Sequence, residues 1–214
     1  MIRRLVAGAG DRVAYLWGAR GTGKTHLLEA SCRELSKRGG RATLLPLAQQ
    51  AEMTTDACDG LEALGLVCVD DVHLIAGDRA WEEAILYLYE RAEQSGTRLL
   101  FATRPIPGAA GFSLPDLMSR LAQGLALRLQ PLNDEMRRLV LQGRARNRGF
   151  EISDEVVAFL LHRYPRDMHT LFTLLDRVDQ LTLSEKRPVT IPLMKRLLDG
   201  ECLMSKRGDA GSVS

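Results

Sequence analysis

A parallel α/β sheet covered by helices on both faces, followed by a small all-helical domain, is the fold that this 214-residue sequence predicts. Three observations predict it. Short apolar runs alternate with helical periodicity as far as Leu129, the rhythm of strand–helix–strand units. The first of those runs, Val13–Trp17, feeds a glycine-rich phosphate-binding motif that opens a helix. Beyond Pro131 only helical periodicity remains.

Taken in order, Val13 to Trp17 reads as a buried strand. Thr25 to Lys37 carries Leu27, Leu28, Ser31 and Leu35 at helical spacing and stops at Gly39-Gly40, a helix-ending signal. Arg41 to Pro46 is expected to be the second strand, Gln49 to Leu64 a helix, and Leu66 to Val69 a third strand ending in Asp70-Asp71. Ala80 to Gln94 is amphipathic, with Trp81, Ala84, Ile85, Leu88 and Tyr89 on one stripe. Arg98 to Ala102 and Ala126 to Leu129 complete the strands. The helical part comprises Asn133 to Asn147, Ser153 to His162, Asp167 to Leu183 and Ile191 to Leu198. Ser153 caps one helix start, and Thr190-Ile191-Pro192 marks another. The expected division is a nucleotide-binding domain over 1–130, a helical domain over 131–200 and a small, polar, disordered tail over 201–214.

Composition narrows the class. With 45% hydrophobic residues the chain can fill a core, and a net charge of +2 is too balanced for a general nucleic-acid binder. Aromatic residues make up only 5%, which disfavours a stacking platform for single strands. The cysteines (Cys32, Cys58, Cys68 and Cys202) are scattered without a C-x-x-C pair, against a zinc site and for reduced thiols. No apolar run reaches the roughly 18–20 residues of a membrane span. The expected location is cytoplasmic.

Gly18-Ala19-Arg20-Gly21-Thr22-Gly23-Lys24-Thr25 matches G-x-x-x-x-G-K-T at every fixed position, between a strand and a helix. Gly18, Gly21 and Gly23 let backbone N–H groups wrap phosphates, and the helix N-terminus adds its positive end. Thr22 and His26 are placed in the same cradle. Lys24 is expected on the β- and γ-phosphates of ATP or ADP, and the Thr25 hydroxyl on Mg²⁺. The run "GLVCVDDVHLI" carries Asp70 and Asp71 to the carboxyl end of a strand, where open sheets bind ligands. Asp70 is expected to hold Mg²⁺ through water, and Asp71 to polarise an attacking water. His73 is read as a packing residue.

These motifs, with "IAGDRAWEEAILYLYERAEQSGTRLL", "LPDLMSRLAQGLALRLQPLNDE", "RNRGFEISDEVVAFLL" and "RDMHTLFTLLDRVDQLTL", make the chain resemble the AAA+ ATPases. The closer likeness is to the DnaA branch, and within it to the family of the regulatory inactivator of DnaA (Hda). The likeness runs from Trp17 to Leu198, so the helical domain corresponds to an AAA+ lid. The resemblance implies that Arg120, in "LMSRL", is an arginine finger reaching a neighbouring subunit's nucleotide. It implies DnaA and the DNA polymerase sliding clamp as partners, leaves homo-oligomer formation open, and implies no direct sequence-specific DNA binding.

Three places depart from the family pattern. The second sensor position, usually arginine, holds His169, with Arg166 three residues earlier as a substitute or as a plain solvated helix-start arginine. The first sensor position offers Thr103 and Arg104 where an acidic or amide residue is common. At the start, only about a dozen residues precede Val13. "IRRLVAGAG" reads as the end of a helix, no clamp-docking peptide is seen, and "TLLPLAQ" (43–49) falls on a predicted strand. A native start further upstream is expected. Arg137, Arg138, Arg144, Arg146 and Arg148 are either a solvated, ion-paired helix face or a surface for an acidic patch on a partner such as DnaA.

Two functions follow. The resemblance implies a regulator that promotes ATP hydrolysis by DnaA together with the clamp, limiting re-initiation, with weak hydrolysis of its own. The alternative is a self-sufficient AAA+ ATPase such as a helicase loader or remodelling motor. An isolated nucleotide-binding domain of a DnaA-like initiator is a third reading, against which "IAGD" and "RGFE" weigh.

Overall fold

The computed structural model describes residues 2–185 and 189–195. The chain divides into two compact units, Met1–Pro131 and Leu132–Ser214.

In the first unit five parallel strands form one sheet: β1 (Val13–Trp17), β2 (Ala42–Pro46), β3 (Leu66–Asp70), β4 (Arg98–Thr103) and β5 (Leu125–Arg128), in the order β2-β3-β4-β1-β5. Side chains alternate across a strand, so each strand feeds two cores. On one face Ala14, Leu16, Leu66, Cys68, Leu100 and Ala102 pack with Leu5 and Val6 of helix α1 (Ile2–Val6) and Leu28 of α2 (Lys24–Lys37). On the other, Tyr15, Val67, Val69, Leu99 and Phe101 meet Trp81, Ile85, Leu88, Tyr89 and Ala92 of α3 (Arg79–Ser95). Leu117 and Leu121 of α4 (Pro115–Gln123) close this second core. Both faces of the sheet are thus covered, as the alternating apolar runs predict.

The helix expected over Gln49–Leu64 does not form. Three short 3-10 turns take its place: Leu47–Glu52, Thr55–Cys58 and Leu61–Ala63. Met53, Thr54 and Asp59 are extended, and Gly60 is left-handed at φ 74°, so each turn stops after one revolution. Leu47 and Cys58 of this stretch are buried in the core, and Met53, Ala57, Leu61 and Leu64 pack against it half-buried. Conversely, α4 is a helix in a stretch to which the sequence reading assigned no element. Its signal is Pro115 in the first turn followed by Leu117 and Leu121 one turn apart.

The second unit holds α5 (Asp134–Asn147), α6 (Asp154–Arg163) and α7 (Met168–Glu185), and residues 191–195 are helical. Leu141, Ala145, Val156, Val157, Leu160, Leu171, Leu175 and Val178 form its core. Asn133 and Ser153 accept hydrogen bonds from Met136 N and Val156 N, capping α5 and α6. The end of the helix expected over Ile191–Leu198 and the tail 201–214 lie outside the described residues. Among the described residues, no helix is long and apolar enough to cross a membrane.

Candidate nucleotide-binding site

Because all five strands run parallel, their carboxyl ends share one edge, and β4 lies between β1 and β3. The loop after β1, Thr103 at the end of β4 and Asp70 at the end of β3 therefore line that edge together.

The loop backbone is built for close approach. Gly21 and Gly23 take positive φ values of 79° and 90°, which L side chains resist. A Cβ on Gly18 would lie 2.3 Å from the Leu129 carbonyl oxygen, so no larger residue fits there. Thr22 locks the turn by donating from Oγ1 to the Ala19 carbonyl at 2.9 Å. Gly23 opens α2 without any side-chain cap, whereas Asp78, Asn133 and Ser153 cap α3, α5 and α6. The first N–H groups of α2 are thus left to an outside acceptor, the arrangement that suits phosphate. Lys24 is buried, and its Nζ donates to the carbonyls of Gly18 (2.8 Å) and Ala19 (3.0 Å). Burial lowers the Lys24 pKa, Asp71 and Asp70 oppose that shift, and Arg104 adds to it.

Thr25 Oγ1 donates to Asp70 Oδ2 at 2.6 Å, joining the loop helix to the end of β3. Hydroxyl and carboxylate oxygens side by side are donors of the kind a hard divalent cation takes, so Thr25 and Asp70 fit Mg²⁺. Burial raises the Asp70 pKa above the usual carboxylate value, while the Thr25 hydrogen bond opposes the rise. Sign follows directly. An acid whose folded pKa is raised costs stability as pH climbs from its unfolded value, near 3.9, through the folded one. Nucleotide-free Asp70→Asn should therefore melt above wild type at pH 8 in a chelator, with the gain vanishing below about pH 4. Thermal melts across pH check this.

Asp71 is the one non-glycine residue with positive φ (52°) among those described. Aspartate tolerates this left-handed geometry. Its N–H donates to Asp70 Oδ1 at 2.9 Å. His73 Nδ1 sits 3.8 Å from Asp71 Oδ1, and neither ring nitrogen has a hydrogen-bond partner among the described residues. Burial lowers the His73 pKa; Asp71 opposes that, and Arg104 and Lys24 reinforce it. His73, read from sequence as packing, thus belongs to the electrostatics of this edge. Thr103 is fully buried with its hydroxyl unpartnered, beside Trp17 in the β1–β4 register. Its position and that of Arg104 complete the rim.

His26, in the first turn of α2, faces Glu29 at 3.7 Å. Arg120 is on α4, with Nη1 3.5 Å from Glu93 Oε2 and its guanidinium 5.8 Å from the Tyr89 ring centroid; it remains solvent-accessible. Within the second unit, Arg166 pairs with Asp134 at 3.2 Å on the wall of a groove of about 430 Å³. His169 is the second residue of α7, and its side chain lies outside the described residues. Of the five basic residues on and just after α5, Arg137, Arg138, Arg144 and Arg148 each make an ion pair inside the second unit, with Asp134, Asp154, Asp176 and Asp176 respectively.

Sequence reasoning missed Glu82. It is fully buried on the apolar stripe of α3, and Oε1 accepts from Gly77 N (2.7 Å) and Ser113 N (2.9 Å). Oε2 accepts from Ser113 Oγ (2.8 Å) and Leu114 N (2.7 Å), directly before α4. An acid at i−3 and i−7 to Ile85 and Tyr89 is the signal that could have found it.

Residues 134–198 match the family described as "Hda, lid domain". Among solved structures, the chain is similar to domain III of the Thermotoga maritima replication initiation protein DnaA. The identity is 16% and the TM-score 0.72, over 93% of this chain and 88% of that one. AMPPCP-bound DnaA from Aquifex aeolicus matches at 20% identity and TM-score 0.66, over 85% and 60%. A RuvB mutant from Thermotoga maritima matches at 18% and 0.64, over 92% and 65%. This chain spans 61% of another similar structure, a DNA replication initiation factor, so it matches only part of such initiators. With five parallel strands, a phosphate loop after β1 and a helical second unit, the chain has the AAA+ fold seen in DnaA domain III, and residues 134–198 match the Hda lid family.

Proposed function

We propose that this chain is a regulatory nucleotide-binding protein that promotes ATP hydrolysis by DnaA together with the sliding clamp, limiting re-initiation of replication. The observation that carries the reading is the pairing of an Hda-type lid with an accessible Arg120 on a DnaA-like core. In this reading the loop N–H groups from Gly18 to Thr25, with Lys24, hold the phosphates of ADP or ATP, and Thr22 and His26 flank them. Thr25 and Asp70 hold Mg²⁺, which neutralises phosphate charge when bound. Asp71 orients water at the sheet edge, and Arg120 is offered to the nucleotide of DnaA. Arg166 and His169 serve as the lid's contact to the phosphates, and a second copy of the chain is a further partner.

The reading is tested by following hydrolysis in DnaA charged with ATP, with clamp and DNA present. Wild type should accelerate it, and Arg120→Ala should lose the stimulation by about a thousandfold, the low end of an arginine finger's contribution. A wild-type chain that hydrolyses ATP rapidly alone and leaves DnaA unchanged would overturn the reading. The intact set Lys24, Thr25, Asp70 and Asp71 would then favour the second one, a self-sufficient AAA+ ATPase such as a helicase loader.

A further inference from the structure

Two thiols lie on the seam that joins the phosphate-loop helix to the acidic strand. Cys32 is seven residues beyond Thr25, about two helical turns, and so on the same face of α2. Cys68 is two residues before Asp70, and so on the same face of β3. The Thr25–Asp70 hydrogen bond is the upper rung of this seam, and Cys32 with Cys68 is the lower one. Cys68 Sγ donates to the carbonyl of Leu28, the residue one turn before Cys32, at 3.7 Å. Cys32 Sγ donates to the Thr43 carbonyl at 3.4 Å, and Thr43 neighbours Leu44, the register partner of Cys68. Both sulfurs are therefore anchored to backbone within one small volume.

We propose that Cys32 and Cys68 are a peroxide-oxidisable dithiol, and that their disulfide ties the helix carrying Lys24 and Thr25 to the strand carrying Asp70. Cys32 is the attacking group, being half-buried where Cys68 is fully enclosed. The neighbouring Cys68 side chain lowers the Cys32 pKa, and the enclosed Cys68 is placed behind it as the resolving thiol. The thiolate attacks hydrogen peroxide: an S–O bond forms, the O–O bond breaks, and hydroxide leaves to be protonated to water. Cys68 then attacks the Cys32 sulfur of the sulfenic acid. The S–S bond forms, the S–O bond breaks, and the departing hydroxide takes the Cys68 proton as a second water. Two thiols are oxidised by two electrons and one hydrogen peroxide is reduced. Cys58 lies in the core on the opposite face of the sheet, its pKa raised to about 11 by burial, and remains a thiol.

Mg²⁺–nucleotide binding requires Thr25 and Asp70 to exchange their mutual hydrogen bond for ligands. A covalent lower rung holds the seam shut, so the oxidised chain binds more weakly. This consequence rests on the nucleotide-binding reading; the thiol chemistry does not.

The test treats the full reduced chain with one equivalent of hydrogen peroxide, maps disulfides by non-reducing peptide analysis, and measures Mg²⁺–ADP affinity before and after. A Cys32–Cys68 linked peptide, reversed by dithiothreitol, is expected, with affinity falling about fivefold or more, the lower end of coupling between sites. Cys32→Ser, a change at the half-buried position, should show neither effect. Cys32 recovered as sulfinic acid, or linked to Cys58 or Cys202, would overturn the pairing. A Cys32–Cys68 link with unchanged affinity would overturn the coupling to the nucleotide. If the reduced chain binds no Mg²⁺–ADP, the nucleotide reading fails, and the disulfide map still decides the pair.

Discussion

Lys24→Ala should lose Mg²⁺–nucleotide affinity by about a hundredfold or more while leaving the fold in place. The lysine is buried at the end of the loop and stays there by donating to the Gly18 and Ala19 carbonyls. Those two bonds are ones its ammonium can exchange for phosphate oxygens. A charge-assisted hydrogen bond from a desolvated ammonium is worth about 1.5–3 kcal/mol, and each 1.4 kcal/mol is tenfold in affinity. Removing the buried cation of the loop leaves the phosphate charge to backbone dipoles. The apolar contacts of α2, centred on Leu28, do not involve the lysine, so unfolding in the absence of nucleotide should move little. Two measurements decide it. Titration with a fluorescent ADP analogue should show the affinity loss, and the rise in melting temperature that saturating nucleotide confers on wild type should disappear. Unchanged affinity would mean that nucleotide is held elsewhere. Lys24→Arg should not rescue binding, because the wider guanidinium does not fit a buried site shaped for a point charge.

The largest effect on stability should come from Glu82. Its carboxylate holds three backbone N–H groups and one hydroxyl that have no water in its place. Glu82→Ala should cost at least about 3 kcal/mol, since each of the three buried N–H groups left without an acceptor costs about 1–3. Against a typical total of about 5–15 kcal/mol this is a large share. Glu82→Gln should fall between, since its amide keeps one accepting oxygen and turns two donors toward existing N–H groups. Urea melts of the three proteins give the order.

The pH dependence follows from the pKa of Glu82. Burial pushes it up, but the hydrogen bonds from Ser113, Gly77 and Leu114 outweigh burial and leave it below the usual value. A depressed pKa gives stability that is full above the unfolded value, near 4.3, and is lost as pH falls through the folded one. The advantage of wild type over Glu82→Gln should therefore be constant near neutrality and collapse in acid. Because Leu114 N–H leads directly into α4, loosening Glu82 should also disorder the helix that presents Arg120.

How much of this was legible in sequence depended on whether the information was local. Gly18 through Thr25 and Asp70 could be read because each needs only its own strand or helix: glycines for the turn, a lysine at the helix start, an acid at a strand end. The strands were equally readable, since both faces of a parallel sheet are covered and the runs are apolar throughout. The stretch 47–63 misled because its composition tolerates a helix, while extended Met53, Thr54 and Asp59 and left-handed Gly60 break it into short turns.

Sequence by itself determined the parallel sheet, the phosphate loop, the acidic strand end and the switch to helices after Pro131, because periodicity and backbone demands are written in neighbouring residues. Only tertiary structure decided that Thr25 meets Asp70, that Glu82 staples the start of α4, that His73 stands beside Asp71, and that Cys32 and Cys68 share one seam. All but the Asp71–His73 pair come from residues that the sheet order or helix packing brings together, and hydrogen bonding or charge acts through space at a few ångströms regardless of distance along the chain.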